Sequence, residues 1–279
     1  MNFLDLLWII LLISAFQPVI AQRLLEAARQ RKIEQIERLR GSRVITLVHR
    51  QETMQLLGFP VMRYIDVHDS EAVLRAIHMT DPKVPLDIIL HTPGGLVLAA
   101  LQVARALKDH PGKVTVHVPH YAMSGGTMIA LAADEIIMCS HAVLGPVDPQ
   151  LGDMPAASLQ RAVKQKPIDK LEDRTLVLAD IGQKAITQVQ AAVADLLKGR
   201  MEESEARAVA EKLASGHWTH DYPISSSEAK ALGLPVNTTI PNEVLELMTL
   251  YPQPTRTLSS VEYLPGWKRA DKGGNRAKT

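Results

Sequence analysis

Two glycine pairs interrupt predicted strand-to-helix junctions in this 279-residue chain, and they are the first candidates for chemistry. The first junction reads His91-Thr-Pro-Gly-Gly95 and the second reads Ala122-Met-Ser-Gly-Gly126. Glycines let a backbone turn sharply and approach a ligand, and the helix that follows presents unpaired N–H groups at its positive end. Such a corner stabilises an anion, either a phosphate or the oxyanion of a tetrahedral intermediate. The first corner lacks the GK[ST] ending of a Walker loop and is not a GxGxxG motif.

The second corner carries a serine, Ser124, at the point where a strand enters a helix. Its hydroxyl is expected to be exposed there, and the N–H of the next residue could donate to an oxyanion, as in a nucleophile elbow without the GxSxG pattern. The alternative is that Ser124 only caps the helix. Because the two corners follow successive βα units, they would be adjacent in a parallel sheet. Their joint geometry therefore predicts a nucleophilic serine beside an oxyanion site.

The elements that must position these corners follow an alternating pattern. From Arg43 onward, short apolar runs alternate with helical periodicity, which predicts βαβ units and an α/β fold. The predicted strands are Val44 to His49, Met62 to Val67, Leu86 to His91, Lys113 to Pro119 and Glu135 to Cys139. The first predicted helix starts at Ser70, which is taken as its cap. Further helices are predicted over residues 96–110, 126–133, 175–197, 204–215 and 226–232.

Composition excludes several classes of function. The chain is 46% hydrophobic and 22% charged, which supports a sizeable buried core rather than disorder. A net charge of +1 and only 4% aromatic residues argue against nucleic acid as a partner. The single cysteine, Cys139, excludes an internal disulfide. No cofactor or metal is predicted, because His217 and His220 form an HxxH pair without further ligands nearby.

The N-terminus predicts a membrane anchor. Residues Leu4 to Ala21 are apolar except for Asp5, Gln17 and Pro18. The length of this run is close to the ~20 residues that a spanning helix needs. Pro18 is expected to kink or end the span. Basic residues follow it, so the positive-inside rule places the rest of the chain in the cytoplasm. The alternative is a signal peptide cleaved after Ala21, but no positive charge precedes the apolar run.

Together with Leu144-Gly-Pro-Val-Asp-Pro-Gln150, the two corners resemble the serine dehydrogenase proteinase family, a membrane-anchored branch of the Clp protease/crotonase superfamily. Residues 43–64 and 218–224 resemble it too, so the likeness covers about residues 1–245. The resemblance implies a Clp/crotonase-like spiral of βα units after an N-terminal transmembrane helix. It also implies Ser124 as nucleophile and Gly95 and Gly125 as donors of oxyanion N–H groups.

The corresponding domain organisation has four parts. Residues 1–22 are expected to form the transmembrane anchor, 23–41 a charged juxtamembrane helix, 42–245 the Clp/crotonase-like serine peptidase domain, and 246–279 an extension that ends in a disordered basic tail. The expected partners are peptide or protein substrates, membrane proteins among the candidates, and further copies of the chain in a homo-oligomer. The expected location is the cell membrane.

The general base is open, because the histidine of the Clp proteolytic subunit would fall near Pro146 and none is present there. Lys166 is favoured, since its chain distance from Ser124 resembles that in the related stomatin-operon proteases, and Lys164 and Lys170 would help to deprotonate it. The alternative is a Ser–Asp–His order that uses Asp148 with His220, or with His217.

The function predicted from these features is that of a membrane-anchored serine endopeptidase. Two alternatives remain: a catalytically inactive membrane scaffold of the same fold, and a crotonase-like acyl-CoA enzyme whose oxyanion corners act on a thioester. The acyl-CoA enzyme would need neither a serine at position 124 nor an anchor.

Membrane attachment is directly testable. The full-length protein should stay in the pellet after alkaline carbonate extraction, and a C-terminal tag should be protected from protease added outside the cell, because the apolar run precedes a positive excess. A mature N-terminus at Gln22, or an externally digested tag, would show that the anchor prediction is wrong.

Overall fold

Five parallel strands form the central sheet, as a computed structural model shows. The structure describes the backbone of residues 3–49, 54–56, 59–61 and 63–251, and the side chains of residues 16–17, 19–49 and 63–251. Residues 252–279, which include most of the predicted extension and all of its basic tail, lie outside the described residues. The α/β class with a parallel sheet is confirmed.

The helices and strands follow one another along the chain with short connections. The helices are α1 (Phe3–Arg40), α2 (Val67–His78), α3 (Val97–Lys108), α4 (Gly125–Leu131), α5 (Ala156–Gln165), α6 (Asp173–Leu197), α7 (Glu203–Ala214), α8 (Ser226–Ala231) and α9 (Asn242–Thr249), with one 3₁₀ turn at Ile168–Lys170. The strands are β1 (Arg43–Val48), β2 (Met54–Leu56), β3 (Phe59–Val61), β4 (Leu86–His91), β5 (Val114–Val118), β6 (Tyr121–Ala122), β7 (Glu135–Met138), β8 (Val143–Leu144), β9 (Gln150–Leu151), β10 (Met154–Pro155), β11 (Ile224–Ser225) and β12 (Val236–Asn237).

The central sheet has the order β1-β4-β5-β7-β12, and every neighbouring pair is parallel. All residues of β4 and β5 are buried, which explains why these strands read as continuous apolar runs rather than as an alternating pattern. A smaller sheet, β11-β8-β6, lies beyond the carboxyl end of β5. The first glycine corner follows β4, and the second follows β6, the short strand that comes directly after β5, so that both corners lie beyond the carboxyl ends of the central strands.

Two predictions about the segment before α2 are wrong. The strand predicted over 62–67 is reduced to one bridge between Ile65 and Gly95, with position 62 outside the described residues. Helix α2 starts at Val67 rather than at Ser70, because Asp66 and Asp69 form a reciprocal capping box. Ser70 lies inside the first turn, where its hydroxyl donates to Val67 O at 2.9 Å.

The N-terminal helix α1 is continuous from Phe3 to Arg40, so Pro18 does not end it, and the predicted segments 1–22 and 23–41 belong to one helix. Within the part of the chain whose side chains are described, no helix is both long and apolar enough to span a membrane. The structure therefore does not support the predicted transmembrane anchor. That prediction depends largely on side chains 1–15, which lie outside the described set.

The carboxyl half of α1 packs on the body through α9. Ile36 of α1, Val44 of β1 and Leu247 of α9 share a small apolar cluster. Lys32 donates to Glu246 at 2.7 Å, and the Arg29 guanidinium lies 4.8 Å from the centre of the Tyr251 ring. The domain boundary predicted at 245/246 thus falls inside α9, a helix that packs against the body.

A buried carboxylate, Asp87 on β4, joins α1 to the central sheet. His117 Nε2 on β5 lies 2.7 Å from Oδ1 of Asp87, and Arg40 Nε and the Ser42 hydroxyl both contact Oδ2. Burial by itself would raise the pKa of this carboxyl, but the hydrogen bonds from His117, Arg40 and Ser42 outweigh burial and lower the pKa to about 2.

This network predicts a specific loss of stability in acid. Because the pKa of Asp87 is lowered from 3.8 to about 2, its ionised form stabilises the fold above pH 3.8, and this contribution is lost as the pH falls towards 2. We expect the free-energy difference between the wild type and Asp87→Asn to shrink by about 2 kcal/mol over that interval. Urea unfolding at several pH values measures it.

Asp153→Asn, which alters an exposed carboxylate, is the control and should show no comparable change. A difference between wild type and Asp87→Asn that stays constant from pH 5 to pH 2 would contradict this assignment.

Candidate active site

The two glycine corners lie directly against each other, as their positions on neighbouring strands predict. Thr92 and Ala122 form a parallel bridge between them. The Met123 N–H donates to Thr92 O at 3.0 Å, and the Thr92 N–H donates to Tyr121 O at 3.2 Å. These backbone hydrogen bonds fix the relative position of the corners without any contribution from side chains.

Glycine is required where the corners touch. A Cβ at Gly94 would lie 2.7 Å from Cβ of Ser124, and a Cβ at Gly126 would lie 2.6 Å from Cγ2 of Thr92. A Cβ at Gly95 would lie 2.2 Å from the carbonyl oxygen of Ile65. Any side chain at Gly94 or Gly126 would push the two corners apart, and one at Gly95 would push the corner away from the Ile65 backbone.

Ser124 adopts a strained backbone conformation at the start of α4. Its φ of 50° and ψ of −117° make it the one non-glycine residue with positive φ among the described residues. The hydroxyl makes no capping hydrogen bond with α4, so the interpretation of Ser124 as an N-cap side chain does not hold. Strained backbone of this kind is typical of functional positions, and a strained strand-to-helix turn is how a nucleophile elbow presents its serine.

Two backbone N–H groups beside Ser124 are available to an incoming ligand. The N–H groups of Gly95 and Gly125 have no acceptor within the described part of the chain. They are close together, since a Cβ placed on Gly125 would lie 3.5 Å from the Gly95 nitrogen. The Gly95 corner is held by Ile65, whose N–H donates to Gly94 O at 2.7 Å and whose carbonyl accepts from Leu96 N at 2.9 Å. Unpaired N–H groups of this kind can bind an oxyanion.

Thr127 links the second corner to the loop between β8 and β9. Its hydroxyl oxygen lies 2.8 Å from the carbonyl oxygens of both Ala122 and Gly145, and it accepts the Gly145 N–H at 3.0 Å. Farther along this loop, the Val147 N–H donates to Leu213 O at the end of α7. The loop is thereby held between the second corner and the last turn of α7.

The structure brings Asp148 and His220 together. Nδ1 of His220 lies 2.8 Å from Oδ1 of Asp148, although the residues are 72 positions apart in the chain. The Asp148 side chain is buried, and its second oxygen accepts from Gln150 Nε2 at 2.7 Å. A carboxylate only accepts, so the proton of the neutral ring lies on Nδ1 and Nε2 is basic. Nε2 has no partner among the described residues.

Asp148 and His220 line a cavity of about 400 Å³, together with Trp218, Gly216 and the first turn of α5. His217 also lines this cavity, where it makes an edge contact with the Trp218 ring rather than with Asp148. The Asp148/His220 pair therefore faces a space that is accessible from solvent.

Lys166 has a different environment from this pair. It follows the last residue of α5, and its side chain is exposed, as are those of Lys164 and Lys170. An exposed ammonium is solvated by water, so the burial that would favour a neutral lysine is absent. The structure thus gives the Asp148/His220 pair a geometry suited to a base and leaves Lys166 without a comparable environment.

Sequence analysis did not identify a polar network behind the first corner. Nδ1 of the buried His49 lies 2.9 Å from Oγ1 of Thr92, and Nε2 lies 3.2 Å from Oδ2 of Asp69. Burial lowers the pKa of His49, although Asp69 partly opposes this. One signal was available, since His49 follows β1 and His91 ends β4, and the carboxyl ends of neighbouring parallel strands meet at one edge.

Comparison with known proteins adds independent information. A family profile described as ClpP-like SDH-type serine proteinase matches residues 1–278. Two uncharacterized proteins of Methanocaldococcus jannaschii are similar to this chain. One is 53% identical over 258 residues, covering 92% of this chain and 90% of the relative. The other is 50% identical over 266 residues, covering 95% and 91%.

Two solved structures of a membrane-bound stomatin-specific protease superpose on part of this chain. One is 21% identical with a TM-score of 0.44, covering 66% of this chain and 79% of that chain. The other, in complex with a substrate peptide, is 20% identical with a TM-score of 0.44, covering 66% and 74%.

The strain at Ser124 predicts an unusual order of stability. Ser124→Gly should be more stable than Ser124→Ala by about 1 kcal/mol, because alanine keeps a Cβ at positive φ whereas glycine tolerates it. Thermal or urea unfolding of both variants measures the difference.

Ser158, exposed within α5, is the matched control, and there glycine should instead be less stable than alanine by about 1 kcal/mol. If glycine is the less stable residue at both positions, Ser124 is not strained.

Proposed function

Because the chain belongs to the ClpP-like SDH-type serine proteinase family, we propose that it is a serine peptidase that cleaves peptide bonds through an acyl-enzyme on Ser124. The observation that carries the proposal is the strained backbone of Ser124. This residue lies at the start of α4 and packs against the Gly94–Gly95 corner. A strained residue needs a compensating role, and the free hydroxyl beside unpaired N–H groups is suited to acyl transfer.

Gly95 and Gly125 are the proposed donors of the oxyanion hole. Both N–H groups lack acceptors within the described part of the chain, and a Cβ placed on Gly125 would lie 3.5 Å from the Gly95 nitrogen. We propose that they bind the carbonyl oxygen of a scissile bond as it becomes negatively charged. Each such donor typically contributes about 2.7–4 kcal/mol to transition-state stabilisation.

His220, oriented by Asp148, is the proposed general base, in preference to Lys166. The buried carboxylate sets the tautomer and stabilises the imidazolium that forms when Nε2 accepts a proton. Imidazole titrates near neutral pH without special burial, whereas a lysine base needs an environment that Lys166 lacks. The choice between them rests on this difference in surroundings.

The proposed reaction has two steps. Ser124 Oγ attacks the peptide carbonyl while its proton passes to His220 Nε2, and the oxyanion is stabilised by the N–H groups of Gly95 and Gly125. Collapse of the intermediate breaks the C–N bond, and His220 returns the proton to the departing amine. A water molecule then repeats the sequence on the ester and restores Ser124.

The Ser124 hydroxyl has no hydrogen bond within the described residues, so the proposed reaction requires His220 Nε2 to come within about 3 Å of it, directly or through one water. Catalytic hydrogen bonds are often long in unliganded enzymes and shorten when substrate binds. Substrate binding is therefore proposed to complete the contact.

Membrane location, cytoplasmic orientation and homo-oligomer formation are further parts of the proposal. The first two depend on the apolar run from Leu4 to Ala21 and on the basic residues after it. Homo-oligomer formation is proposed by analogy with the Clp protease/crotonase superfamily. The proposed substrates are peptides or proteins, membrane proteins among the candidates.

Labelling with a fluorophosphonate probe tests nucleophile and base together. Wild type should label and Ser124→Ala should not. His220→Ala should lower the labelling rate and peptide turnover by about 10²–10⁴-fold, because proton transfer from the serine loses its acceptor. Lys166→Ala should behave like wild type.

His217→Ala is the matched control, because it removes a histidine from the same loop that does not contact Asp148. Circular dichroism checks that each variant is folded. Loss of labelling in Lys166→Ala but not in His220→Ala would identify the lysine as base. A wild type that never labels would favour the inactive scaffold over the peptidase.

A further inference from the structure

Three side chains behind the first glycine corner form a continuous chain of hydrogen bonds. Asp69 Oδ2, at the first turn of α2, lies 3.2 Å from His49 Nε2. His49 Nδ1 lies 2.9 Å from Thr92 Oγ1, and the same oxygen accepts the Gly94 N–H at 3.2 Å. This series of hydrogen bonds therefore runs from the surface of α2 to the backbone of the first glycine corner.

The chemistry of the end groups fixes the direction of these bonds. The Asp69 carboxylate can only accept, so the neutral His49 ring carries its proton on Nε2 and has a lone pair on Nδ1. Thr92 then donates its hydroxyl proton to Nδ1, and its oxygen accepts from Gly94. Each of these donors and acceptors has a complementary partner.

The Thr92 hydroxyl, at the centre of this series of hydrogen bonds, is buried away from water. Thr92 is 0% exposed and His49 is 4% exposed, so a lost hydrogen bond cannot be replaced by solvent. The same threonine pairs through its backbone with Met123, the residue before the nucleophile. Without the Thr92 hydroxyl, the Gly94 N–H would lose its acceptor, and the Gly94 backbone, which leads directly to the Gly95 N–H, would lose one of the bonds that hold it.

We propose that His49 is a positioning residue for the peptidase reaction: its neutral ring, oriented by Asp69, holds Thr92 so that the Gly94–Gly95 corner presents its N–H to the oxyanion. The inference rests on the proposed function, since it assigns the network a role in that same site. His49 acts through Thr92 and does not contact substrate.

The charges around His49 determine its protonation. Asp66 and Asp69 face it from the start of α2, and Arg63 faces it from the preceding segment. On the sheet side, the backbone N–H of His49 donates to the carbonyl of His91. Burial is the largest influence and lowers the pKa of His49, Arg63 acts in the same direction, and the two carboxylates oppose it. The ring is thus neutral at neutral pH.

Protonation of His49 would reverse the bond to Thr92. Nδ1 would become a donor, so that two donors, Nδ1–H and the Gly94 N–H, would point at the threonine oxygen. The hydroxyl proton would then have to turn towards Gly94 O, which is 3.4 Å away. Turnover should therefore fall in acid when His49 becomes protonated.

Paired substitutions separate this role from simple packing. Thr92→Val keeps the shape but removes the hydroxyl, whereas Thr92→Ser keeps the hydroxyl. His49→Leu removes both ring contacts, whereas His49→Asn places an oxygen acceptor near the Nδ1 position and does not titrate. Ser70→Ala, which removes a buried hydroxyl of α2 outside this network, is the control.

In the full-length protein, Thr92→Val and His49→Leu should lower kcat and the fluorophosphonate labelling rate by about tenfold or more, with KM changed far less. Thr92→Ser and His49→Asn should restore most of kcat. The His49→Asn enzyme should also lose one ionisation from the acid limb of its pH profile. Ser70→Ala should match wild type.

Histidine NMR provides a readout that does not need activity. Ring nitrogen shifts should show the Nε2–H tautomer of His49, and the Gly94 amide should shift when that ring titrates. An Nδ1–H tautomer, or wild-type kcat in Thr92→Val, would overturn the assignment. If wild type never labels, the peptidase proposal is wrong, and the NMR result alone then decides whether His49 orders the corner.

Discussion

The two backbone corners that follow β4 and β6 approach so closely that one methyl group would separate them. Reciprocal hydrogen bonds between the Thr92 and Tyr121–Met123 backbones hold the corners in place, and Gly94 fits only because it has no Cβ. The strained conformation of Ser124 persists because its surroundings leave little room for another. Rigid backbone contact, rather than any side-chain interaction, thus determines where a nucleophile and an oxyanion could meet.

Around this contact, buried polar groups are held by partners that come from other parts of the chain. Asp87 binds Arg40 and His117 at the junction of α1 and the sheet, Asp148 binds His220, and His49 joins Asp69 to Thr92. A buried polar group without a partner costs free energy, so these pairs specify one arrangement of the segments that carry them. The Asp87 contacts support the fold, His49 joins the first glycine corner through Thr92, and Asp148 orients the candidate base His220.

The loop between β8 and β9 shows how the fold and the site depend on each other. Thr127, in the helix that begins after Ser124, binds the backbone of Gly145, and Val147 binds the end of α7. Asp148 and His220 extend from these two anchored segments. The same packing that closes the core therefore brings a carboxylate and an imidazole into contact. A displacement of α7 would also displace the candidate base, His220.

The sequence by itself determined the α/β class, the parallel strands around β4 and β5, both glycine corners and the candidate nucleophile Ser124. These features depend on periodicity and turn chemistry within a few residues, which physical rules relate directly to local structure. It also named Asp148 and His220, but only as an alternative to Lys166. Spacing along the chain does not report which side chain is buried and which is solvated.

Only the tertiary structure decided that Asp148 contacts His220, that His49 contacts Thr92, and that α2 starts at its Asp66 cap rather than at Ser70. It also decided that α1 continues past Pro18. The first two contacts join residues 72 and 43 positions apart. Such pairs form because segments anchored elsewhere in the chain bring them together in a space that the packed core defines. No local pattern encodes that space, since it exists only once the core has packed.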